Sequence, residues 1–571
     1  MLFRSRLATR SDPLGHSESF TYDPAGNLTG HTDRKGQAAT FAYDALNRRT
    51  GATYIDATVT STYDAVGRLT RATDSAGGTI TSAYDTLDRL VSQTAALGTV
   101  GYTYDALGRR TTMIVPGQPE ISYAYDPASR LTSITQGSSL VQFAYDAASR
   151  RTTLTLPNGV TTQYGYDSAS RLTSLTYTLA ATVLGDLQYT YDAAGNRTGV
   201  AGTWARTGLP QPVASATYNA NNQQLTFGGQ TLTYDRNGNL TGDGTSTYTW
   251  TARDQLATIS GPVPGSFVYE GAGRRMRKAI NGTITDVLYD GVNPIQEVSG
   301  AAATALLTGL GIDEYFVRTD TGGASVLLTD ALGSAVALTD PAGAVQTQYT
   351  YEPFGQTVTT GAASSSPFQY TGRENDGTGL YYYRARYYHP TLQRFLSEDP
   401  IGLLADDTNY YAYAGNDPTN FIDPLGLDKD QCPAGGERGW RLPDFVSASA
   451  SVSIRTPWTG TLLSWTSGVS VDRYGNWYWS PIGPGVGRAP YVGSGSLTGN
   501  WLLQGCKPTQ DQLGNFLSGH GFTGAAGWWG GGNVMYSPGN GTAAGVGLVS
   551  PQGGGNYSYS FRGRGNTGWS W

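Results

Sequence analysis

The sequence predicts an all-β chain whose longer part is built from stacked hairpins, and three observations carry that prediction. Tyr-Asp pairs recur at a nearly fixed spacing. Charged residues make up only 14%, while Gly (77) and Tyr (38) abound, which suits short strands and tight turns better than helices. Between the turns, apolar and polar residues alternate with period two, the pattern of a strand with one buried face.

The pairs begin at Tyr22, Tyr43, Tyr63, Tyr84, Tyr104, Tyr125, Tyr145 and Tyr166, in steps of 20 or 21 residues. Each is followed by a turn-like cluster and then Arg or Asn with an apolar or basic neighbour, as in AGNL, AVGRL, TLDRL, ALGRR and PASRL. Looser copies follow at Tyr191, Tyr218 (with Asn219), Tyr234, Tyr269 (with Glu270) and Tyr289. In GYTYDALGRRTT, Asp105 is placed to bond the backbone two residues on, and Gly108 accepts a positive φ, so each unit reads strand, turn, strand. One hairpin is marginal in water, so the copies must share their faces in one long spiral sheet. Tyr and Arg of each copy are expected to stack or hydrogen-bond along it. A sugar-binding role for the stacked tyrosines is the lesser alternative.

The repeats end in residues 381–427, which hold Asp399-Pro400-Ile401-Gly402 and Asp423-Pro424-Leu425-Gly426. Proline supplies a stiff φ and glycine a permissive one, so each element sets an aspartate on a rigid turn. Two carboxylates brought together cannot both ionise cheaply, so one keeps a proton while the other activates water. Asp399 and Asp423 are therefore the candidate catalytic pair, with Arg394 and Arg386 as candidates for tuning it. The alternative reading is a pair of capping turns.

These motifs resemble the YD repeats of RHS (rearrangement hotspot) proteins, which also occur in toxin-complex C subunits and teneurins. TDALGSAVALTDPAGAVQTQYTYEPFG (329–355), FQYTGRENDGTGLYYYRARYYHPTLQRFLSEDPIGL (368–403) and YYAYAGNDPTNFIDPLGL (410–427) resemble the RHS-associated core. The resemblance implies repeats over 1–328, a core over 329–427, and a hollow β-shell enclosing the C-terminal polypeptide. It also implies that the aspartate pair is an autoprotease cutting between Leu427 and Asp428. His389 stands where the family has Asp, Gln393 where it has Gly, and the 19 residues between Leu403 and Asp423 are one more than the family spacing.

Beyond Leu427 the composition switches. Residues 428–571 carry a net charge of +3 against −9 for the preceding 427, and hold ten of the twelve tryptophans. Residues 428–444 read as a linker. FVSASASVSIRT, SGVSVDRYGNWYWS and NYSYSFRGRG alternate as short antiparallel strands, with a hairpin turn at Asp472–Gly475. Thr509–Ser518, with Thr509 and Gln512 at capping-box spacing, is expected to form a helix. The C-terminal part is thus a small Gly- and aromatic-rich, mainly β domain.

Its chemistry is sparse. His520 is its only histidine, Cys432 and Cys506 offer at most one disulfide, and no cluster has metal-ligand spacing. No cofactor or metal is implied. The net charge of −6 gives no general case for nucleic-acid binding, and the Arg562-Gly563-Arg564 run is thin support for it. Three readings of this part follow in order: a soluble effector, a membrane-permeabilising β domain whose Trp477, Tyr478, Trp479, Trp528 and Trp529 form an aromatic girdle, and a nuclease. The N-terminus lacks the apolar stretch of a signal peptide and no run spans a membrane, so a delivery region is expected elsewhere.

The whole is read as part of a bacterial polymorphic toxin, secreted or at the cell surface. By resemblance, its partners are its own enclosed C-terminal domain, a cognate immunity protein and components of a secretion machinery. The alternative of a different class is a surface structural or adhesive, carbohydrate-binding protein with an inert tail.

Overall fold

The computed structural model describes residues 6–427, apart from 206–207, 211 and 403–406, together with the backbone of nine strands between Phe445 and Asn566. The chain divides into two compact units at Gly435/Gly436, inside the expected linker. Among the described residues no helix is long and apolar enough to cross a membrane.

The first unit opens with nineteen strands from Thr9 to Ala201, each antiparallel to the next. A second meander of fourteen strands runs from Thr233 to Gly361. The expected single spiral is therefore interrupted. Between the meanders the 20-residue repeat lapses, leaving only three short strands between Ala216 and Thr231. Trp204 fills the break by stacking on Tyr177 with centroids 4.8 Å apart. It lies where a side chain on Gly185 would have to go. The second meander runs through residue 328 without a break, Val326 pairing with Thr339.

The repeat consensus sets the local geometry. In Tyr104-Asp105-Ala-Leu-Gly108-Arg109, the Asp105 carboxylate accepts the backbone N–H of Leu107 and Arg109, both at 2.9 Å. The Asp105 carbonyl accepts Gly108 N–H at 3.0 Å, and Gly108 takes φ +80°. This is a hydrogen-bonded β-turn closed by a left-handed residue, a common connection between twisted strands. Ser129, Ser149 and Ser170 take the left-handed place in later copies.

The arginine that ends each turn joins one repeat to the next. Arg109 Nε donates to its own Asp105 at 2.7 Å, and its Nη1 donates to the Asp126 carbonyl of the following repeat at 3.4 Å. Arg48, Arg68, Arg89, Arg109, Arg130, Arg150 and Arg171 lie over Tyr63, Tyr84, Tyr104, Tyr125, Tyr145, Tyr166 and Tyr191, each 4.7 to 5.0 Å from the ring centroid. The tyrosine hydroxyl completes the rung on a backbone carbonyl, as Tyr125 does on Arg110 at 2.9 Å. Planar guanidinium suits this combined role of donor fork and ring partner; lysine does not.

The inner faces of the two meanders share a core that includes Val100, Met113, Ile134, Val141 and Tyr177 on one side and Leu288, Ile295, Phe316 and Leu328 on the other. Ion pairs cross between the meanders. Arg110 grips both oxygens of Asp290 at 2.5 and 3.0 Å, and Arg253 meets the buried Asp74 at 2.5 Å. Gly77 runs so close to the Tyr269 carbonyl that no Cβ fits.

Residues 368–427 follow on a four-stranded sheet from Glu374 to Phe395. They are anchored by a buried cluster of Tyr370, Tyr381, Tyr383, Tyr388, Phe395 and Tyr413. Gln393 adopts φ +58°, a left-handed conformation that glycine takes more readily. His389 is half-buried at the end of the strand Arg386–His389, where its Nδ1 accepts Leu392 N–H at 3.3 Å. Burial pushes its imidazole down to about 4, against the opposing pull of Asp243.

In the second unit, eight strands close a ring. Phe445–Arg455 pairs with Leu462–Asp472 and Ser494–Leu502; Asn476–Arg488 pairs with Leu462–Asp472 and Gln552–Tyr559; His520–Gly527, Gly531–Ser537 and Gly541–Val549 complete the circuit. Val471 faces Trp477 across the expected hairpin, whose tip at 473–475 lies outside the described residues. So does the helix expected at Thr509–Ser518.

Two outcomes are expected from this packing. Arg109→Met removes an ion pair, a carbonyl bond and a ring contact, and should lower stability by about 1–2 kcal/mol, read as a reduced urea midpoint; an unchanged midpoint would deny the rung its role. An unfolded His389 takes a proton near its ordinary value of 6.5, the folded one only near 4. Stability is therefore complete above pH 6.5 and declines as pH falls toward 4. In His389→Gln the loss between about pH 7 and about pH 4.5 should be smaller by roughly 1–2 kcal/mol, after allowance for partial solvent access.

Candidate functional site

The site is built on the turn joining Tyr381–Tyr383 to Arg386–His389, where Tyr383 pairs with Arg386. Arg384 opens that turn at φ +60°, an unfavourable region for a residue with a side chain. Its guanidinium is held at both ends, by Asp313 at 2.6 and 3.1 Å and by the Pro424 carbonyl. Ala385 N–H donates to the Leu425 carbonyl at 3.1 Å. The turn thus clamps the Asp-Pro-Leu-Gly segment against the sheet.

Arg386 lies at the centre. One of its terminal nitrogens, Nη2, meets Asp399 Oδ2 at 2.9 Å and Asp423 Oδ2 at 3.2 Å. The two carboxylate oxygens therefore share a single donor and lie no farther apart than those two distances combined. Nη1 donates to the Tyr410 carbonyl at 3.0 Å and Nε to the Gly426 carbonyl at 2.6 Å. The guanidinium also sits 3.6 Å above the centre of the Phe395 ring. Asp399, Asp423 and Arg386 are all buried. Burial draws the guanidinium below its ordinary value, although Asp423 and Asp399 push it up.

Each aspartate is fixed by its own turn. Asp399 Oδ1 accepts Ile401 N–H at 3.0 Å, and its carbonyl accepts Gly402 N–H at 3.0 Å with Gly402 at φ +56°. Asp423 Oδ1 accepts Leu427 N–H at 2.9 Å, and its carbonyl accepts Gly426 N–H at 3.2 Å with Gly426 at φ +67°. A Cβ on Gly426 would lie 2.4 Å from the Tyr383 carbonyl, so only glycine fits there. Pro400 and Pro424 hold the intervening positions of the two turns.

A cavity of about 30 Å³ adjoins the three charged groups and is bordered by Asp407, Asn409, Tyr410 and Leu427. That is room for one or two water molecules. A set of two carboxylates and one guanidinium is neutral when the carboxylates share one proton. Two carboxylates that share one proton can both accept and donate a proton, and this pair lies next to Leu427.

The structure brings together Asp399, Asp423, Leu427 and the two Asp-Pro turns. Arg394 stands apart: its Nη2 donates to the Asn222 carbonyl at 2.8 Å and its guanidinium lies over Tyr218 and Tyr411 at 5.3 and 5.0 Å. Of the two arginine candidates, Arg386 holds the aspartates, and Arg394 pins the short sheet at 216–231 to the core. No spacing rule separates them in the sequence; only the strand pairing does. Asp428 lies outside the described residues. Among the described residues no group of His, Cys, Asp and Glu is arranged to hold a metal ion.

Comparison with known proteins agrees with this architecture. The teneurin YD-shell family matches residues 58–178 and 160–419, and the RHS repeat family matches 4–38 and 22–59. The chain is 32% identical over 264 residues to the tRNA3(Ser)-specific nuclease WapA of Bacillus spizizenii, covering 42% of this chain and 11% of that protein. It is 40% identical over 90 residues to toxin subunit YenC2 of Yersinia entomophaga, covering 15% and 9%. The chain thus spans about a tenth of these relatives. Among solved structures, the TcdB2-TccC3-Cdc42 crystal structure matches with a TM-score of 0.56 and 19% identity over 72% of this chain and 27% of that one, a likeness of fold. With nested repeats, two meanders and a core segment all accounted for, the chain belongs to the teneurin YD-shell family and carries RHS repeats at its start.

Proposed function

We propose that this chain is the shell and self-cleaving portion of an RHS polymorphic toxin, and that Asp399 and Asp423 cut it between Leu427 and Asp428. The carrying observation is the shared Arg386 nitrogen beside a water-sized cavity that Leu427 borders. The ionised carboxylate takes a proton from water as its oxygen bonds to the Leu427 carbonyl carbon. The protonated carboxylate gives its proton toward the carbonyl oxygen or the departing amine. The carbon–nitrogen bond then breaks, leaving a Leu427 carboxyl group and a free Asp428 amine, with one water consumed. Arg386 holds both carboxylates in place and offsets the charge on the ionised one. Its bond to the Gly426 carbonyl fixes the peptide just before the cut.

The released segment, residues 428–571, is the cargo in this reading, and the nuclease and toxin-subunit names of the relatives support that reading for this chain. Its own shell, an immunity protein and a secretion machinery are the partners that follow, with delivery to the cell surface or beyond. A second reading of the cargo rests on the closed ring of eight strands. The ring closes on itself, as a bilayer-spanning barrel requires, with Phe561–Asn566 as an added strand beside Asn476–Arg488. Dye release from lipid vesicles after cleavage would favour that reading over a soluble effector.

Self-cleavage is checked on a denaturing gel of the purified chain. Wild type should give two fragments, and Asp399→Asn or Asp423→Asn should slow their formation at least about a hundredfold. Arg386→Lys should also slow it, because one ammonium cannot reproduce the fork. A wild-type chain that stays whole, or an Asp399→Asn chain that cuts at the wild-type rate, would sink the proposal.

A further inference from the structure

Glu398 immediately precedes Asp399, and its carboxylate takes no part in the proposed chemistry. It is nevertheless held by a bidentate pair: Arg34 Nη1 and Nη2 meet its two oxygens at 3.0 and 2.6 Å. Arg34 comes from a turn 364 residues earlier in the chain. The same guanidinium donates to the Asn237 carbonyl at 2.5 Å and pairs with Asp12 at 3.2 Å. The side chains of Arg34 and Glu398 are only 10% and 14% exposed, so both are largely shielded from water.

Three distant segments converge here. Asn237 Nδ2 donates to Asp33 at 2.7 Å, Lys35 pairs with Asp235 at 3.2 Å, and Leu240 N–H donates to the Leu396 carbonyl at 2.8 Å. Gly238, at φ +89°, makes the approach possible, since a Cβ there would lie 2.5 Å from Glu398 Oε1 and 2.6 Å from the Tyr411 hydroxyl. Tyr411 in turn donates to the Gly238 carbonyl at 2.7 Å. Asp423 is anchored differently, through Arg384, Ala385 and Asp313. Both aspartates are held by Arg386, and the residue before Asp399 is tied in addition to the first repeats through Arg34.

We propose that Arg34, acting through Glu398, is a positioning residue for Asp399, so that self-cleavage waits until the first repeats have closed on the core. The inference rests on the self-cleavage reading. Arg34 touches no reacting atom. Its absence leaves a largely shielded carboxylate without its bidentate partner next to the catalytic residue, and a carboxylate in that position moves toward solvent and carries its neighbour with it. Displacement of a catalytic group by about 1 Å lowers a rate by as much as about a hundredfold. The link ties release of the C-terminal segment to completion of the shell.

The test follows the appearance of fragments as the full chain refolds from urea, in wild type, Arg34→Gln, Arg34→Lys, Glu398→Gln and Arg253→Gln. Arg253 and Asp74 form another buried ion pair between the meanders, remote in sequence from the aspartates, and serve as the control for general loss of stability. Arg34→Gln should cut about ten- to a hundredfold more slowly than wild type, with Arg34→Lys between them. Glu398→Gln, which keeps an acceptor and leaves no unpaired anion, should be slowed less than Arg34→Gln. Arg253→Gln should cut at the wild-type rate despite a lowered urea midpoint. Equal slowing in Arg34→Gln and Arg253→Gln, or wild-type cutting in Arg34→Gln, would overturn the inference while leaving self-cleavage intact. An uncut wild-type chain would instead remove the self-cleavage reading, and this inference with it.

Discussion

An arginine of one repeat laid over the tyrosine of the next, and bonded to that repeat's backbone, is the interaction on which the first unit depends. A β-hairpin of some twenty residues has too little buried surface to stand alone. The rung links each hairpin to its successor by an ion pair to its own turn, a carbonyl bond and a ring contact, as Arg89 does with Asp85, Asp105 and Tyr104. Each element is modest because these side chains are part-exposed; Arg109 and Asp105 are 25% and 23% open to solvent. Repetition over seven successive copies makes the sum large and fixes the register.

A regular ladder can extend without limit, but a site needs residues from distant parts of the chain in one place. Charged residues buried between the second meander and the core segment supply part of that. From Arg318 a chain of ion pairs with alternating sign runs through Glu297, Lys278, Asp376, Arg275, Glu374, Arg373 and Asp313 to Arg384, which holds the Pro424 carbonyl. Buried pairs of this kind contribute little net stability, but removing one partner costs several kcal/mol, so they penalise every arrangement except the complete one. The aspartate pair lies at the end of this chain, and the Arg34–Glu398 pair flanks it from the other meander.

Much of this was legible in the residues. Tyr-Asp spacing, the Asp105 turn and the Gly108 conformation follow from local rules, because hairpin geometry is decided within a few residues. The two Asp-Pro-X-Gly turns were visible for the same reason. What could not be read were partners chosen by long-range packing. Arg386 and Arg394 both sit near the aspartates in sequence, yet the pairing of Tyr383 with Arg386 turns one toward them, while Arg394 pairs with His389 and bonds to Asn222. Arg34 carries no local sign of its role, being one of many turn arginines. The lapse of the sheet near Trp204 likewise depends on a ring stacking against Tyr177 and a bare Gly185, which no periodicity announces.

The central claim is that the Asp399–Asp423 pair hydrolyses one bond with water. It is tested most directly by letting the purified, unfolded chain refold in water enriched in heavy oxygen and weighing the products by mass spectrometry. The account predicts a shell fragment ending at Leu427 that carries one heavy oxygen in its new carboxyl group, and a second fragment beginning at Asp428 with none. A chain that remains whole, a cut at another bond, or a Leu427 end without the label would contradict it.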